Sequence, residues 1–109
     1  LRAEGRGFCA GVDIKELAAD PDLIVTVNKG NYDSFRAVHR NPKPVIVAVQ
    51  GGCFTGGLEL ALTGDIILAS ESASFADTHG KFSMVPMWGM SQRLPDKKVP
   101  LGIAKVARL

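Results

Sequence analysis

The stretch GGCFTGGLELALTGD, residues 51–65, sets one carboxylate, Glu59, inside a short apolar run behind two glycine pairs. A glutamate is seldom buried unless it is paired or put to use. Read as a strand-to-helix junction, the run places the first N–H groups of a helix at Gly56 and Gly57. Those groups lack intrahelical partners, and the helix dipole favours negative charge there. Without side chains, the two glycines let a ligand oxygen come close to their N–H groups. Glu59, three residues after Gly56, stays in the same first turn. A carboxyl group in apolar surroundings has a raised pKa, which suits proton transfer near neutral pH. The same position also suits a glutamate that merely complements the dipole or pairs with a lysine, and spacing alone does not choose. A second glycine loop, CAGVD at 9–13, also leads into a helix start. Two such loops facing one point would polarise a carbonyl and stabilise an enolate as it forms.

The elements that must position these loops read as α/β. Segment 5–17, GRGFCAGVDIKEL, is a glycine-bearing turn entering a helix. From about Leu23 to Arg40 the apolar residues Leu23, Val27, Tyr32, Phe35 and Val38 recur near helical spacing. Asn41-Pro42-Lys43-Pro44 ends that helix, because a residue before proline disfavours the α region. VIVAV, residues 45–49, is a short continuous apolar run and suggests a strand covered on both faces. A loop and a short helix from about Gly56 to Thr63 follow, then a second buried strand, IILA at 66–69. Residues 70–90 read as a further helix or loop, and KKVPLGIAKVARL as ending in a helix. Strand, helix and strand with short links predict parallel pairing.

Composition is ordinary for a globular domain: 46% hydrophobic, 22% charged, net charge +2, so one domain is the ceiling for 109 residues. The basic residues are scattered, apart from Lys97, Lys98, Lys105 and Arg108 near the end. Nothing therefore argues for nucleic acid or an anionic membrane as partner. No apolar run approaches the roughly 18 residues of a membrane span, and no stretch reads as a signal peptide. Cys9 and Cys53 lack metal-ligand spacing and read as buried free thiols, so a cytoplasmic setting is expected and no metal site. Leu1 directly precedes a glycine-rich loop, and the final helical pattern stops without a cap. Residues 1–109 are accordingly expected to be an interior portion of a larger domain, inactive by itself.

Beside this reading stands a family resemblance. FCAGVDIKEL resembles the first loop of the crotonase superfamily, the enoyl-CoA hydratases and isomerases. KPVIVAVQGGCFTGGLELALTGDIILASESASFADTHGKF resembles its second signature, and WGMSQRL follows in register. The resemblance implies an incomplete portion of a crotonase-like ββα spiral, with an acyl-CoA as substrate and coenzyme A as part of that substrate rather than a separate cofactor. It also implies a trimer-based homo-oligomer. The thioester oxygen would be held by the backbone N–H groups of Val12 and Gly56. Ala10, Gly11, Asp13 and Ile14 would border the coenzyme, with Gly57 and Thr78 also at the substrate. The first catalytic glutamate falls on Glu59. Hydratases carry a second one where this chain has His79, preceded by Thr78 instead of proline. Histidine titrates near neutrality and works as acid or base, yet a lone histidine is also a common structural or rim residue. Hydration or isomerisation of an enoyl-CoA is the expected reaction. Hydrolysis, decarboxylation, carbon–carbon chemistry and non-catalytic acyl-CoA binding are the alternatives.

Two further departures concern shape. Thr55 replaces a glycine common before Gly56, and Met87 stands where the family more often has glycine. A methionine there either narrows the acyl pocket or fills a core gap, core being the preferred reading, and Trp88 is expected in the core or at a subunit contact. Gly56→Pro is expected to delete one donor cleanly, since proline is tolerated at a helix start.

Overall fold

The computed structural model describes residues 1–96 and 106–108. Helix α1 spans Ile14–Ala19, and Asp13 caps it: its carboxylate accepts from the backbone N–H groups of Lys15 and Glu16. Helix α2 spans Leu23–His39, close to the expected bounds, and ends before Asn41-Pro42. Its apolar stripe is only half-buried at Leu23, Val27 and Val38; Phe35 alone is fully buried among its described side chains.

Two strands follow, β1 (Ile46–Val49) and β2 (Gly52–Phe54), then helix α3 (Gly56–Leu62). Strands β3 (Ile66–Ala69) and β4 (Ser74–Asp77) repeat the pattern, followed by a 3₁₀ turn at His79–Phe82 and helix α4 (Met90–Asp96). Strand β1 pairs with β3 and β2 with β4, all in parallel, with Ile46 opposite Ile66 and Gly52 opposite Ser74. Each ββα turn thus lays its two strands beside those of the preceding turn, in two sheets. That is the spiral the resemblance implied. Arg2 bridges to Ala48 and Cys9 to Cys53, so the opening segment runs along the same two ladders. Cys9 and Cys53 are free thiols; Cys53 is buried, whereas Cys9 is partly exposed.

Four expectations need correction. VIVAV and IILA are covered on one face only: Val47 and Val49 are buried, whereas Ile46, Ile66 and Leu68 are about half exposed. Successive side chains point to opposite faces of a strand, and the described residues pack against one of them. Residues 70–90 contain strand β4, not just helix or loop. At the end, Val106–Arg108 form strand β5, parallel to β4, where a helix was expected. The open edge of β4 offers backbone partners that the apolar spacing of this segment does not reveal. The rest of that expected helix lies outside the described residues. Lastly, β2 was read as loop, because its glycines hide a strand pattern.

Val47, Val49, Cys53, Leu58, Ala61, Leu62, Phe75 and Met90 form the core between the sheets and α3. Burial of this kind is the main favourable term in folding. Its consequence here is to fix α3, and with it Glu59, against β2 and β4.

Candidate active site

A cleft of about 640 Å³ opens between the CAGVD loop, the start of α3 and the segment after β4. It is lined by Ala10, Gly11, Val12, Asp13, Ile14, Gly56, Glu59, Thr78 and His79 among others. Every sequence-predicted site residue except Gly57 therefore meets in one place. Gly57 does not face the cleft. A Cβ built on it would lie 2.1 Å from the Cys9 carbonyl oxygen, so this glycine exists to let the two loops approach. Asp13 lines the cleft, but its carboxylate is engaged in capping α1.

The two glycine loops touch. Gly11, at φ +95°, lies so close that a Cβ on it would sit 3.2 Å from the Gly56 nitrogen. Only glycine adopts that backbone conformation readily. Neither the Val12 nor the Gly56 N–H has a hydrogen-bond partner among the described residues. Two unpaired donors on adjoining loops at a cleft are suited to an oxygen that gains charge. Thr55, directly before, holds φ +52°. This left-handed conformation is costly for a β-branched residue. Its hydroxyl is hydrogen-bonded to that of Thr78, and its N–H donates to the Ala76 carbonyl at 3.0 Å.

Glu59 is 1% exposed. One carboxylate oxygen, Oε1, accepts from the backbone N–H groups of Trp88 at 2.8 Å and Met90 at 3.2 Å. The other, Oε2, is buried without a hydrogen-bond partner and lies 3.5 Å from His79 Nε2. Burial pushes the Glu59 carboxyl above its ordinary range, against the opposing pull of the two N–H donors and His79. No lysine pairs with it among the described residues. Of the structural alternatives left open by the sequence, the lysine pair is absent among the described residues, whereas the place in the first turn of α3 is kept, and the carboxyl faces an imidazole.

His79 is 6% exposed and sits at the start of the 3₁₀ turn. Its Nδ1 lies 2.7 Å from Asp77 Oδ1, and the same oxygen accepts its backbone N–H at 3.1 Å. Sequence reasoning missed Asp77. The Asp-Thr-His spacing was the available signal, since a carboxylate two residues before a turn often binds the backbone ahead of it.

Trp88 and the methionines divide. Met90 is core at 2% exposure, but Met87 is 51% exposed and lines the cleft, contrary to the core reading. Trp88 stacks on Phe35 with ring centroids 4.9 Å apart. Its ring also covers Gly56, where a Cβ would come 2.5 Å from Trp88 Cζ3. Gly56→Pro therefore adds a clash besides deleting a donor, and is not the clean change the sequence suggested. Phe82, Met84 and Val85 add an apolar wall to the cleft.

Comparison with known proteins gives one consistent picture. The family model for enoyl-CoA hydratase/isomerase matches residues 1–109. A probable peroxisomal enoyl-CoA hydratase of Arabidopsis thaliana is 43% identical over 90 residues, covering 83% of this chain and 33% of the relative. A (7aS)-7a-methyl-1,5-dioxo-2,3,5,6,7,7a-hexahydro-1H-indene-carboxyl-CoA hydrolase of Mycobacterium tuberculosis is 49% identical over 77 residues, 69% of this chain and 31% of that protein. The crystal structure of an enoyl-CoA hydratase from Bacillus anthracis superposes with a TM-score of 0.80 at 35% identity, over 87% of this chain and 38% of that one. The chain spans about a third of the length of the curated relatives it matches.

Proposed function

The chain belongs to the enoyl-CoA hydratase/isomerase family, and from that premise we propose that the intact protein carrying it hydrates or isomerises an enoyl-CoA. The observation that carries this reading is the unpaired Val12 and Gly56 N–H groups at the same cleft as the buried Glu59 carboxyl. The thioester oxygen sits on the two N–H groups. They bind it more tightly as it gains enolate charge, which lowers the barrier to moving a proton at the acyl chain. Glu59 Oε2, desolvated and unpartnered, is the group that gives or takes that proton, with His79 beside it. Ala10, Gly11 and Ile14 border the coenzyme, Thr78 holds Thr55 in place, and the apolar wall receives the acyl chain. No cofactor beyond the coenzyme A of the substrate enters this scheme. A cytoplasmic or other reducing compartment suits the free thiols, and a trimer-based homo-oligomer is the assembly proposed for the intact protein.

A second reading keeps the enolate and ends in hydrolysis. It is favoured by the likeness to the hydrolase of Mycobacterium tuberculosis. A panel of enoyl-CoA and other acyl-CoA thioesters, assayed on the intact protein with product analysis, separates the two. Hydration or isomerisation of an enoyl-CoA supports the first, and release of free acid with coenzyme A supports the second. Coenzyme binding with no turnover on any thioester sinks both.

A further inference from the structure

We infer that Asp77 is a positioning residue: by accepting the His79 Nδ1–H it fixes the imidazole so that Nε2 faces Glu59 Oε2 for proton exchange. The inference rests on the reading of Glu59 and His79 as the proton-handling pair. Asp77 is the last residue of β4, and one oxygen of its side chain takes both the backbone N–H of His79 at 3.1 Å and the ring Nδ1 at 2.7 Å. The two contacts fix the turn and the ring plane together.

The chemistry of the partners then sets the tautomer. An ionised carboxylate only accepts hydrogen bonds, so Nδ1 must be the donor. In a neutral ring Nε2 is then the acceptor, and it points at an oxygen that is buried and otherwise unpartnered. The distance of 3.5 Å is long for a hydrogen bond, as is common at such pairs before a substrate closes the site. A proton on Glu59 Oε2 moves to His79 Nε2 and back, while Asp77 keeps its hold on Nδ1–H and its own charge does not change. The side chain of His79 is 8% exposed and that of Asp77 is 30% exposed, so the hold is shielded but not sealed. A structural turn residue alone would need only the backbone contact. The short ring contact is what the turn does not explain.

The test is ¹⁵N NMR of the His79 ring in the intact protein, beside steady-state kinetics for Asp77→Ala and Asp77→Asn. In the unsubstituted protein Nδ1 is expected to be protonated. In Asp77→Asn the amide oxygen still accepts from the backbone and ring N–H groups, so Nδ1 is expected to stay protonated and most of kcat to be kept. Asp77→Ala leaves Nδ1 without that acceptor: the ring proton is expected to spread over both nitrogens, and kcat to fall about a hundredfold with KM little changed, the scale seen when a reacting group is misoriented. An unprotonated Nδ1 in the unsubstituted protein overturns the inference, whether or not either variant folds. So does a fall in kcat in Asp77→Ala with Nδ1 still protonated, which would leave Asp77 a purely structural role. The ring measurement needs no turnover. Failure of the acyl-CoA panel would thus sink the proposed function without deciding the tautomer.

Discussion

The backbone N–H of Trp88 donates to Glu59 Oε1 at 2.8 Å, while the Trp88 ring lies over Gly56 and against Phe35. One residue of the segment before α4 thereby fixes the acid and walls the donor. With Oε1 held by Trp88 and Met90, the carboxyl group has one oxygen fixed by backbone and one, Oε2, buried without a hydrogen-bond partner, the one proposed for the chemistry.

Glu59→Gln separates those two roles. The amide oxygen still accepts from Trp88 and Met90, so the loop stays in place, but no proton is left to exchange. Turnover of an enoyl-CoA by the intact protein is expected to fall about 10² to 10⁴-fold, the usual contribution of a positioned acid–base group. Affinity for the thioester, measured by calorimetry, should hardly change. Unaltered turnover would remove Glu59 from the chemistry.

The same group makes stability depend on pH. Burial raises the Glu59 carboxyl above its ordinary value of 4.5, so the folded state keeps this proton at a pH where the unfolded chain has released it. The folded state then binds more protons than the unfolded one. Glu59's contribution is therefore fully present below pH 4.5 and is lost as pH rises toward the folded value. Chemical denaturation at stepped pH should show this downward slope in the intact protein. Glu59→Gln should flatten it; an equal slope in both would mean the carboxyl is not held protonated.

Much of the placement of these residues is legible in the sequence, and the reasons for the rest are specific. The Gly56–Glu59 spacing revealed the helix start and put Glu59 in its first turn, because both follow from local geometry, while the role of the carboxyl did not follow from spacing. Helix α2 was legible from its apolar period. Strand β4 was not, because Ser74–Asp77 has two adjacent buried residues, Phe75 and Ala76, and no clean alternation. Gly57 misled, since a glycine that serves a neighbouring backbone looks the same as one that serves a ligand. Asp77 was overlooked because its value lies in where it aims the next side chain but one. Met87 and Met90 have the same residue type and differ only in which side of the segment they occupy, which tertiary packing decides.

Gly56→Ala tests the wall over the donor. The new Cβ would meet Trp88 Cζ3 at 2.5 Å, and the ring, already stacked on Phe35, must shift. Trp88 is the single tryptophan of these 109 residues, so with any tryptophan outside them replaced by phenylalanine its intrinsic fluorescence reports the shift directly. A changed emission maximum is expected, with kcat/KM lowered about tenfold or more as the Glu59 anchor moves with it. Emission identical to the unsubstituted protein would contradict the contact.

Gly57→Ala and Gly30→Ala should have opposite effects, although both replace a helical glycine. At Gly57 a Cβ would stand 2.1 Å from the Cys9 carbonyl oxygen and 2.7 Å from its carbon, and backbone cannot turn aside as a side chain can. The two loops must separate, which is expected to cost about 3 kcal/mol, at the upper end for overpacked sites. At Gly30, inside α2, a Cβ meets nothing within 4 Å. Alanine there removes the entropy penalty of a mid-helix glycine and should stabilise by about 0.5–1 kcal/mol. Denaturant titration of both variants in the intact protein measures the difference. A Gly57→Ala protein as stable as Gly30→Ala would show that the CAGVD loop does not lean on α3, and the shared cleft would lose its physical basis.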